Sequence, residues 1–317
     1  RFWLRLETMA GELPLPTLRH DLLARALDGG DGQPRRERRP EPCPPQAARP
    51  KRIAVTDVDR LAADPYAFYA KAILKLQALE DVDAEPGPAW KGSLIHDVLD
   101  RWAKEDGYAP GTLETRMRHA LDGPAVHAVV RTLWLPRLIE ACGWIEAQVE
   151  AGRKDGRSPV ASEVKGEAIK DGITIHGRAD RIDATPGGVA IIDYKTGNAP
   201  SNKQVQEGFA LQLGLLGFIA SQGGFERGNG NGTPDAFEYW SFARDGDSFG
   251  KISSPAGSGK TQIAPDAFVD RIVEKFQQAA ARWLTGDEPF VAKINPDYGY
   301  DEFDHLMRLE EWQGRDG

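Results

Sequence analysis

The sequence predicts an α/β fold, because a β-hairpin is combined with several segments of helical periodicity. The hairpin covers 177–197, where two runs rich in Ile and Val flank Thr185-Pro-Gly-Gly188, a turn signal. Further strands are expected at 160–169 and 236–243. Helices are expected on both sides of the hairpin in the chain, at 90–102, 112–150, 201–220 and 264–284.

Start signals support several of these helices. Thr56 is expected to be the N-cap of a helix that begins in Val55-Thr-Asp-Val-Asp, and Asp64 the cap of a second helix with Pro65 at its first position. Ser201 is expected to cap the helix over 201–220. In 90–102 the apolar residues recur at helical spacing, which predicts an amphipathic helix.

Composition and charge limit the classes of protein to which this chain can belong. The chain has 317 residues, of which 40% are apolar and 28% charged, as in ordinary globular proteins. No run of about 18 apolar residues predicts a membrane span, and no secretory signal is visible. The two cysteines, Cys43 and Cys142, argue against a disulfide framework and lead us to expect a cytoplasmic protein. The net charge of −8 indicates that a DNA-binding role would need help from a partner.

Three regions are expected along the chain. Residues 1–28 are partly helical, residues 29–52 form a linker rich in Pro and Arg, and residues 53–317 form the main domain. The basic residues of the linker could contact DNA phosphate, but composition favours a solvated tether. These residues are Arg35, Arg36, Arg38, Arg39, Arg49, Lys51 and Arg52. Since the chain starts at Arg1 rather than Met, we expect a fragment of a longer protein.

The hairpin brings two carboxylates and a lysine together. If it folds about Pro186-Gly187, Asp180 lies directly opposite Asp193, with Cβ atoms about 5 Å apart. Lys195, two residues beyond Asp193, projects from the same face. Like charges facing each other destabilise a sheet unless they are neutralised, which a divalent cation would do. The pattern predicts a metal site for phosphodiester hydrolysis.

Asp180 followed by Asp193-Tyr194-Lys195 resembles the motif of PD-(D/E)xK nucleases in their RecB-like form. The resemblance implies a restriction-endonuclease-like core with a mixed central β-sheet flanked by helices. It also implies a nuclease that depends on Mg²⁺ or Mn²⁺. Asp180, Asp193, the backbone carbonyl of Tyr194 and His96 would hold the metal, and Lys195 would position the attacking water or stabilise the transition state.

The resemblance gives the reason for choosing His96 and singles out two more residues, Glu163 and Gln212. Gly92-Ser-Leu-Ile-His96 matches a Gly-x-x-x-His element whose His contributes to the metal site in RecB-like nucleases. Glu163 is preferred over Glu167 as a third carboxylate, with a solvated strand residue as the alternative. Gln212 matches the first residue of a Gln-x-x-x-Tyr motif, although Leu216 replaces the Tyr.

The sequence also predicts contacts for the side chains of two further hairpin residues, Arg178 and Tyr194. Arg178 could contact phosphate or form a salt bridge with a carboxylate, and the sequence leaves both open. Tyr194 points to the opposite face from Asp193, so its ring is expected to pack.

From Ile53 to Trp312, the order of motifs resembles the C-terminal nuclease domain of AddB subunits in AddAB helicase–nucleases, in a form without an iron–sulfur cluster. This resemblance implies that 1–28 ends a helicase-like region. It implies DNA and an AddA-like helicase–nuclease subunit as partners, and a role, with exonuclease activity expected, in double-strand-break repair or recombination. The alternatives are a stand-alone Cas4-type exonuclease and a catalytically inactive DNA-binding scaffold domain.

Overall fold

The computed structural model describes residues 2–11, 20–29, 38–77, 88–123, 126, 128–245 and 248–313. The chain forms two compact units, one of Arg1–Arg38 with Glu310–Gly317 and the other of Arg39–Leu309. The first contains helices α1 (Phe2–Ala10) and α2 (His20–Asp28). Among the helices of the described residues, none combines the length and apolar character that crossing a membrane requires.

The second unit is built on one mixed sheet of six strands. The strands are β1 (Arg52–Ala54), β2 (Ser158–Lys170), β3 (Ile173–Ala184), β4 (Val189–Lys195), β5 (Pro234–Asp245) and β6 (Ser248–Ser253). Their order is β1-β3-β4-β5-β6, with β2 also on β3. The pairs β1–β3 and β4–β5 are parallel and the others antiparallel. The expected mixed sheet is confirmed, and β1 and β6 are strands that the sequence did not predict.

Helices cover both faces of this sheet, as expected. They are α3 (Val55–Ala63), α4 (Pro65–Phe68), α5 (Pro88–Asp106), α6 (Leu113–Leu121), α7 (Ala128–Lys154), α8 (Asn202–Glu207), α9 (Gln212–Ser221) and α10 (Pro265–Trp283). Of the short helix α11 (Leu309–Trp312), the residues from Glu310 on belong to the first unit. One apolar core joins the sheet to α3, α9 and α10, and a second joins it to α5, α6 and α7. Ile191 lies in the first core and Ile192 in the second, because successive residues of β4 point to opposite faces.

Two helix predictions need correction. The segment 201–220 is two helices, because Gly208 takes a left-handed backbone with φ of +93° and ends α8. Ser201 does cap α8, in a capping box with Gln204. Thr56 is not the N-cap, because α3 starts at Val55 and its N-cap position is Ala54, two residues before the predicted cap. The cap at Asp64 is as predicted, with its Oδ1 accepting from the Ala67 amide at 3.2 Å.

The segment expected to be a solvated tether is part of the compact unit from Arg39 onward. Its backbone pairs with the tail of the domain, where Pro42 O accepts from the Phe290 amide at 2.8 Å. Arg49 is buried and donates to the carbonyls of Trp283 and Glu288 at 2.9 and 3.0 Å. The unit therefore begins before Ile53, and Arg49 binds backbone carbonyls rather than phosphate. Arg35 and Arg36 lie outside the described residues.

The tail of the unit is fixed by an aromatic contact and a buried ion network. Phe290 is fully buried and stacks on Phe68, with ring centroids 6.1 Å apart. The Lys293 ammonium, also buried, lies 2.7 Å from Asp304 Oδ1 and 3.9 Å from Asp64 Oδ2. Residues near the end of the domain are thereby attached to the cap of α4.

The pairing of β3 leaves a gap on one of its edges. β2 pairs with β3 over its length, while β4 pairs only with 181–184 and β1 only with 174–176. Since β2 occupies one edge, β1 and β4 share the other. Residues 177–180 of β3 therefore lie between the two partner strands, and the candidate site forms there.

Candidate active site

Asp180 lies where β4 diverges from β3. The hairpin register is the predicted one, since Arg181 pairs with Ile192 and Asp183 with Ala190. Beyond that ladder, Asp180 Oδ2 accepts a hydrogen bond from the backbone amide of Tyr194 at 2.8 Å. The Asp180 carboxylate thus takes the place of a backbone carbonyl as the acceptor for the next amide of β4. Its other oxygen, Oδ1, lies 3.5 Å from His96 Nδ1.

Glu163 reaches the same point from β2 by a distortion of the strand. The flanking residues pair regularly, Ser162 with Arg181 and Val164 with Ala179, but Glu163 itself has a φ of +48°. A left-handed backbone costs a residue with a side chain about 1–2 kcal/mol. The distortion directs the carboxylate into the gap, where Glu163 Oε1 lies 2.9 Å from His96 Nδ1.

The same distortion changes which side chains enter the core. Ala179 and Ile182 of β3 both lie in the α3/α9/α10 core, although strict alternation puts residues an even number apart on one face. The register of β2 on β3 is the same on both sides of this stretch, at Ser162–Arg181 and Val164–Ala179, so the alternation changes locally without an inserted residue. The irregular stretch frees both carboxylates from the alternating pattern.

His96 comes from α5 and lies between the two carboxylates. Burial opposes its protonation, but the hydrogen bond to Glu163 and the charge of Asp180 together raise the His96 pKa above its usual value. A Cβ at Gly92, one turn earlier, would meet only Thr196 Oγ1 at 4.0 Å, so this turn of α5 leaves space toward the end of β4.

Asp193 and Lys195 form a second group beside the first. Lys195 Nζ lies 2.7 Å from Asp193 Oδ2, whose side chain is 2% exposed. Gln212 Oε1, at the first residue of α9, lies 3.4 Å from Lys195 Nζ. The Tyr194 ring points to the other face, as predicted, and packs near Trp240 and Phe242.

Burial and mutual repulsion dominate the acidity of these carboxyl groups. Burial, followed by the charge of Asp193, raises the pKa of Asp180 to about 7. Burial also raises the pKa of Asp193, against the effect of Lys195. Lys195 has a raised pKa because the charge and hydrogen bond of Asp193 outweigh its burial. A bound cation would stabilise the ionised forms of these buried carboxyl groups.

The residues present fit a divalent metal ion. Ligand atoms of His96, Glu163 and Asp180 lie within 4.8 Å of one another. Asp193 is not in that group, and the partner of its buried Oδ2 is the Lys195 ammonium at 2.7 Å. Carboxylates with one imidazole suit Mg²⁺ or Mn²⁺. Glu163, which was expected only as a third carboxylate, lies in the group of possible metal ligands. The Tyr194 carbonyl was expected to be a ligand, but the backbone atom of Tyr194 that contacts Asp180 is the amide nitrogen.

Two clefts, with volumes of about 710 and 540 Å³, open onto this site. Both are lined by His96, Lys165 and Arg178. Lys165 lies opposite Arg178 in the β2–β3 ladder. Arg178 Nε is 2.7 Å from Glu163 Oε2, so the salt bridge that the sequence left open is formed. Lys165 has no carboxylate partner among the described residues.

Sequence reasoning missed Asp59. This residue of α3 accepts a hydrogen bond from the Leu211 amide at 2.6 Å, and burial raises its pKa to about 7. The signal was present, because Asp59 stands four residues after the buried Val55 and so shares the apolar face of an amphipathic helix.

Comparison with known proteins agrees with this geometry. A sequence profile of the PD-(D/E)XK nuclease superfamily matches residues 52–294, which include every residue of the site. The chain belongs to this superfamily.

Curated relatives of this PD-(D/E)XK chain come from Rickettsia. An uncharacterized protein of Rickettsia felis is 30% identical over 200 residues, covering 57% of this chain and 23% of that protein. Uncharacterized proteins of Rickettsia conorii and Rickettsia bellii are 29% and 28% identical over 195 and 187 residues. These matches cover 57% and 56% of this chain, and 23% and 22% of those proteins. The chain thus spans under a quarter of the length of the curated relatives it matches.

Among solved structures, SSO0001 aligns over 83% of this chain and 86% of its own, with 14% identity and a TM-score of 0.28. That score is too low to support a statement about fold.

Proposed function

We propose that this chain is the metal-dependent DNA nuclease module of a larger helicase–nuclease of the AddAB type. The observation that carries the proposal is the group of His96, Glu163 and Asp180 beside the Asp193–Lys195 pair. Phosphodiester hydrolysis needs a cation at the phosphate, an activated water and a positive charge near the reacting oxygens. This site has the residues for each requirement.

In the proposed reaction, His96, Asp180 and Glu163 would hold Mg²⁺ or Mn²⁺, and the charge of Asp193 acts on Asp180 beside them. A bound divalent ion lowers the pKa of a water molecule and neutralises charge on the scissile phosphate. Lys195, held at 2.7 Å from Asp193, orients the attacking water and stabilises negative charge that develops on the phosphate. Gln212 restrains the lysine from the other side.

The proposed substrate is DNA, lying in the clefts that open onto the site. Lys165 and Arg178 are adjacent cations at the mouth of both clefts. Arg178 is already paired with Glu163 at 2.7 Å, whereas Lys165 has no carboxylate partner among the described residues and leaves an ammonium for an anion in the cleft. A DNA phosphate is the anion that the proposed reaction brings to this place.

A helicase–nuclease partner of the AddA type is also part of the proposal. The chain carries a net charge of −8, which is unfavourable for holding DNA unaided. A motor subunit that delivers a strand would supply the missing electrostatic attraction. Two free cysteines support a cytoplasmic location, where DNA repair takes place.

The experiment that tests this function is cleavage of end-labelled linear single- and double-stranded DNA in the presence of Mg²⁺, Mn²⁺ or EDTA. We expect cleavage with either metal and none with EDTA. Asp193→Ala and Lys195→Ala should abolish cleavage while both variants remain folded. Glu114→Ala is the matched control, because the Glu114 carboxylate forms an exposed pair with Arg118 and lines neither cleft.

Metal binding is measured separately by titration calorimetry with Mn²⁺. Asp180→Asn should weaken Mn²⁺ binding by about 10- to 100-fold or more, in the range found even for groups that only support metal ligands. DNA binding without cleavage in the wild type, with either metal and with an AddA-like subunit added, would favour the scaffold alternative. Full cleavage by Asp193→Ala would overturn the mechanism.

A further inference from the structure

Asp59 connects α3 to the helix that carries Gln212. Its Oδ1 accepts a hydrogen bond of 2.6 Å from the amide of Leu211, the residue that precedes α9. The first amide groups of a helix have no partner within the helix, so a carboxylate at this point fixes where the helix starts.

The first residue of α9 continues this connection to the reaction site. Gln212 follows Leu211 directly, and its Oε1 lies 3.4 Å from Lys195 Nζ. The ammonium of Lys195 is in turn 2.7 Å from Asp193. A displacement of the start of α9 would therefore move the amide oxygen that faces the lysine.

Electrostatics place Asp59 close to the same groups. Burial raises the pKa of Asp59, the positive charge of Lys195 lowers it and the negative charge of Asp193 raises it. Asp59 also acts on Lys195, whose pKa it helps to raise. The carboxyl group of Asp59 is thus within electrostatic reach of the pair, although it makes no hydrogen bond to it among the described contacts.

The packing of α3 on α9 does not depend on Asp59. Both helices approach β3 at Gly177, where a Cβ would lie 2.8 Å from Val55 Cγ2 and 3.0 Å from Leu216 Cδ2. Val55 and Leu216 are buried in the same core, so apolar contacts already join the two helices. The hydrogen bond of Asp59 adds a directional restraint at the end of α9 that lies nearest to Lys195.

We propose that Asp59 is a positioning residue, which holds the start of α9 so that Gln212 keeps the Lys195 ammonium in place for DNA hydrolysis. The inference rests on the proposed nuclease function. It assigns no contact between Asp59 and the substrate or the metal.

The test compares Asp59→Ala, Asp59→Asn, Gln212→Ala and the double variant Asp59→Ala/Gln212→Ala. Asp57→Ala is the control, since Asp57 lies on the same helix and pairs with Lys71 at 2.8 Å. Cleavage kinetics with Mg²⁺, Mn²⁺ affinity and the thermal midpoint are measured for each. Asp59→Ala should lower kcat about 10- to 100-fold, the range expected for a misplaced catalytic group, with KM and Mn²⁺ affinity unchanged.

Two comparisons separate positioning from a general structural role. Asp59→Asn keeps an acceptor for the Leu211 amide and should retain most of the wild-type kcat. The double variant should be no slower than Gln212→Ala, because the two residues act through one path. Wild-type kcat in Asp59→Ala, or losses that multiply in the double variant, would overturn the proposal. If Asp59→Ala fails to fold, Asp59→Glu, which shifts the carboxylate, takes its place and should be slower than Asp59→Asn.

A second measurement does not require activity. Amide hydrogen exchange of the Leu211–Gln212 segment should become faster in Asp59→Ala, and remain as in the wild type in Asp59→Asn and Asp57→Ala. Unchanged exchange in Asp59→Ala would overturn the positioning role even if the wild type cleaves DNA. A wild type that does not cleave DNA would instead refute the proposed function, whatever the exchange rates are.

Discussion

Glu163 and Asp180 face each other across β2 and β3, between two regular pairs of the ladder, and both carboxylates approach Nδ1 of His96. The distances are 2.9 Å from Glu163 Oε1 and 3.5 Å from Asp180 Oδ1. The left-handed backbone of Glu163 is what turns its side chain into the gap on the edge of β3. Backbone strain of this kind persists where the surrounding structure holds it, often at functional sites.

The strain at Glu163 predicts an unusual order of stability. Glu163→Gly should be more stable than Glu163→Ala by about 1 kcal/mol, because glycine adopts a φ of +48° without steric cost. At Glu167, on the same strand and without a left-handed backbone, the order should reverse by about 0.5–1 kcal/mol. Urea denaturation of the four variants measures both differences. Equal effects at the two positions would contradict a strained Glu163.

The pKa of Asp59 predicts how stability depends on pH. Its pKa is about 7 in the folded protein, against an ordinary value of 3.8, so between these values the folded state holds a proton that the unfolded state has lost. The contribution of Asp59 to stability therefore falls as pH rises from about 4 to about 7, and stays low above that.

The amide introduced by Asp59→Asn does not ionise, so the stability of this variant should not fall in this way as pH rises. In metal-free protein its thermal midpoint should be close to that of the wild type near about pH 4 and exceed it by at least about 2–4 °C near pH 8, the shift that 1 kcal/mol produces in a domain of this size. Differential scanning calorimetry across this range is the measurement. A difference between the two proteins that does not change with pH would show that Asp59 is ionised throughout.

Lys165 should contribute to DNA binding without affecting the rate of the hydrolysis step. Lys165→Ala is expected to weaken binding of linear DNA several-fold and to reduce the slope of log K against log salt by about 1, the effect of losing one phosphate contact. Binding is measured by fluorescence anisotropy with Ca²⁺ in place of Mg²⁺. Lys170→Ala, on the same strand but not lining either cleft, is the control. A wild-type salt slope in Lys165→Ala would exclude the contact.

The buried Lys293 should be needed for stability. Lys293→Met would leave the buried carboxylate of Asp64 and the partly buried carboxylate of Asp304 without their cation, which costs about 3–5 kcal/mol. Lys203→Met breaks an exposed pair with Glu207 and should cost at most about 0.5 kcal/mol. Urea denaturation of both variants measures this contrast. A Lys293→Met variant as stable as Lys203→Met would mean that the network is dispensable.

The local parts of the site could be predicted from the sequence. The turn at Thr185–Gly188 fixes the register of β3 and β4, because a short hairpin loop leaves few ways to pair its strands. Asp180 and Asp193 were therefore located on facing segments, and Lys195 on the same side as Asp193, where its ammonium now pairs with Asp193. Period-2 alternation also assigned the Tyr194 ring to the opposite face.

Features that depend on contacts between distant residues could not be predicted in this way. Arg49 resembles a tether residue by composition, yet its guanidinium binds carbonyls more than 200 positions later in the chain. The strands β1 and β6 are short, and their pairing partners are set by the whole sheet.

The sequence by itself determined the hairpin, its register and the identity of the residues that carry the proposed chemistry, because turn residues and alternation act over a few positions. Only the tertiary structure decided that Glu163 joins His96 and Asp180, that Asp193 pairs with Lys195, and that Asp59 holds the start of α9. Each of these depends on where a strand distorts or two helices meet. Such geometry is set by the packing of the whole unit, on which the local sequence has little influence.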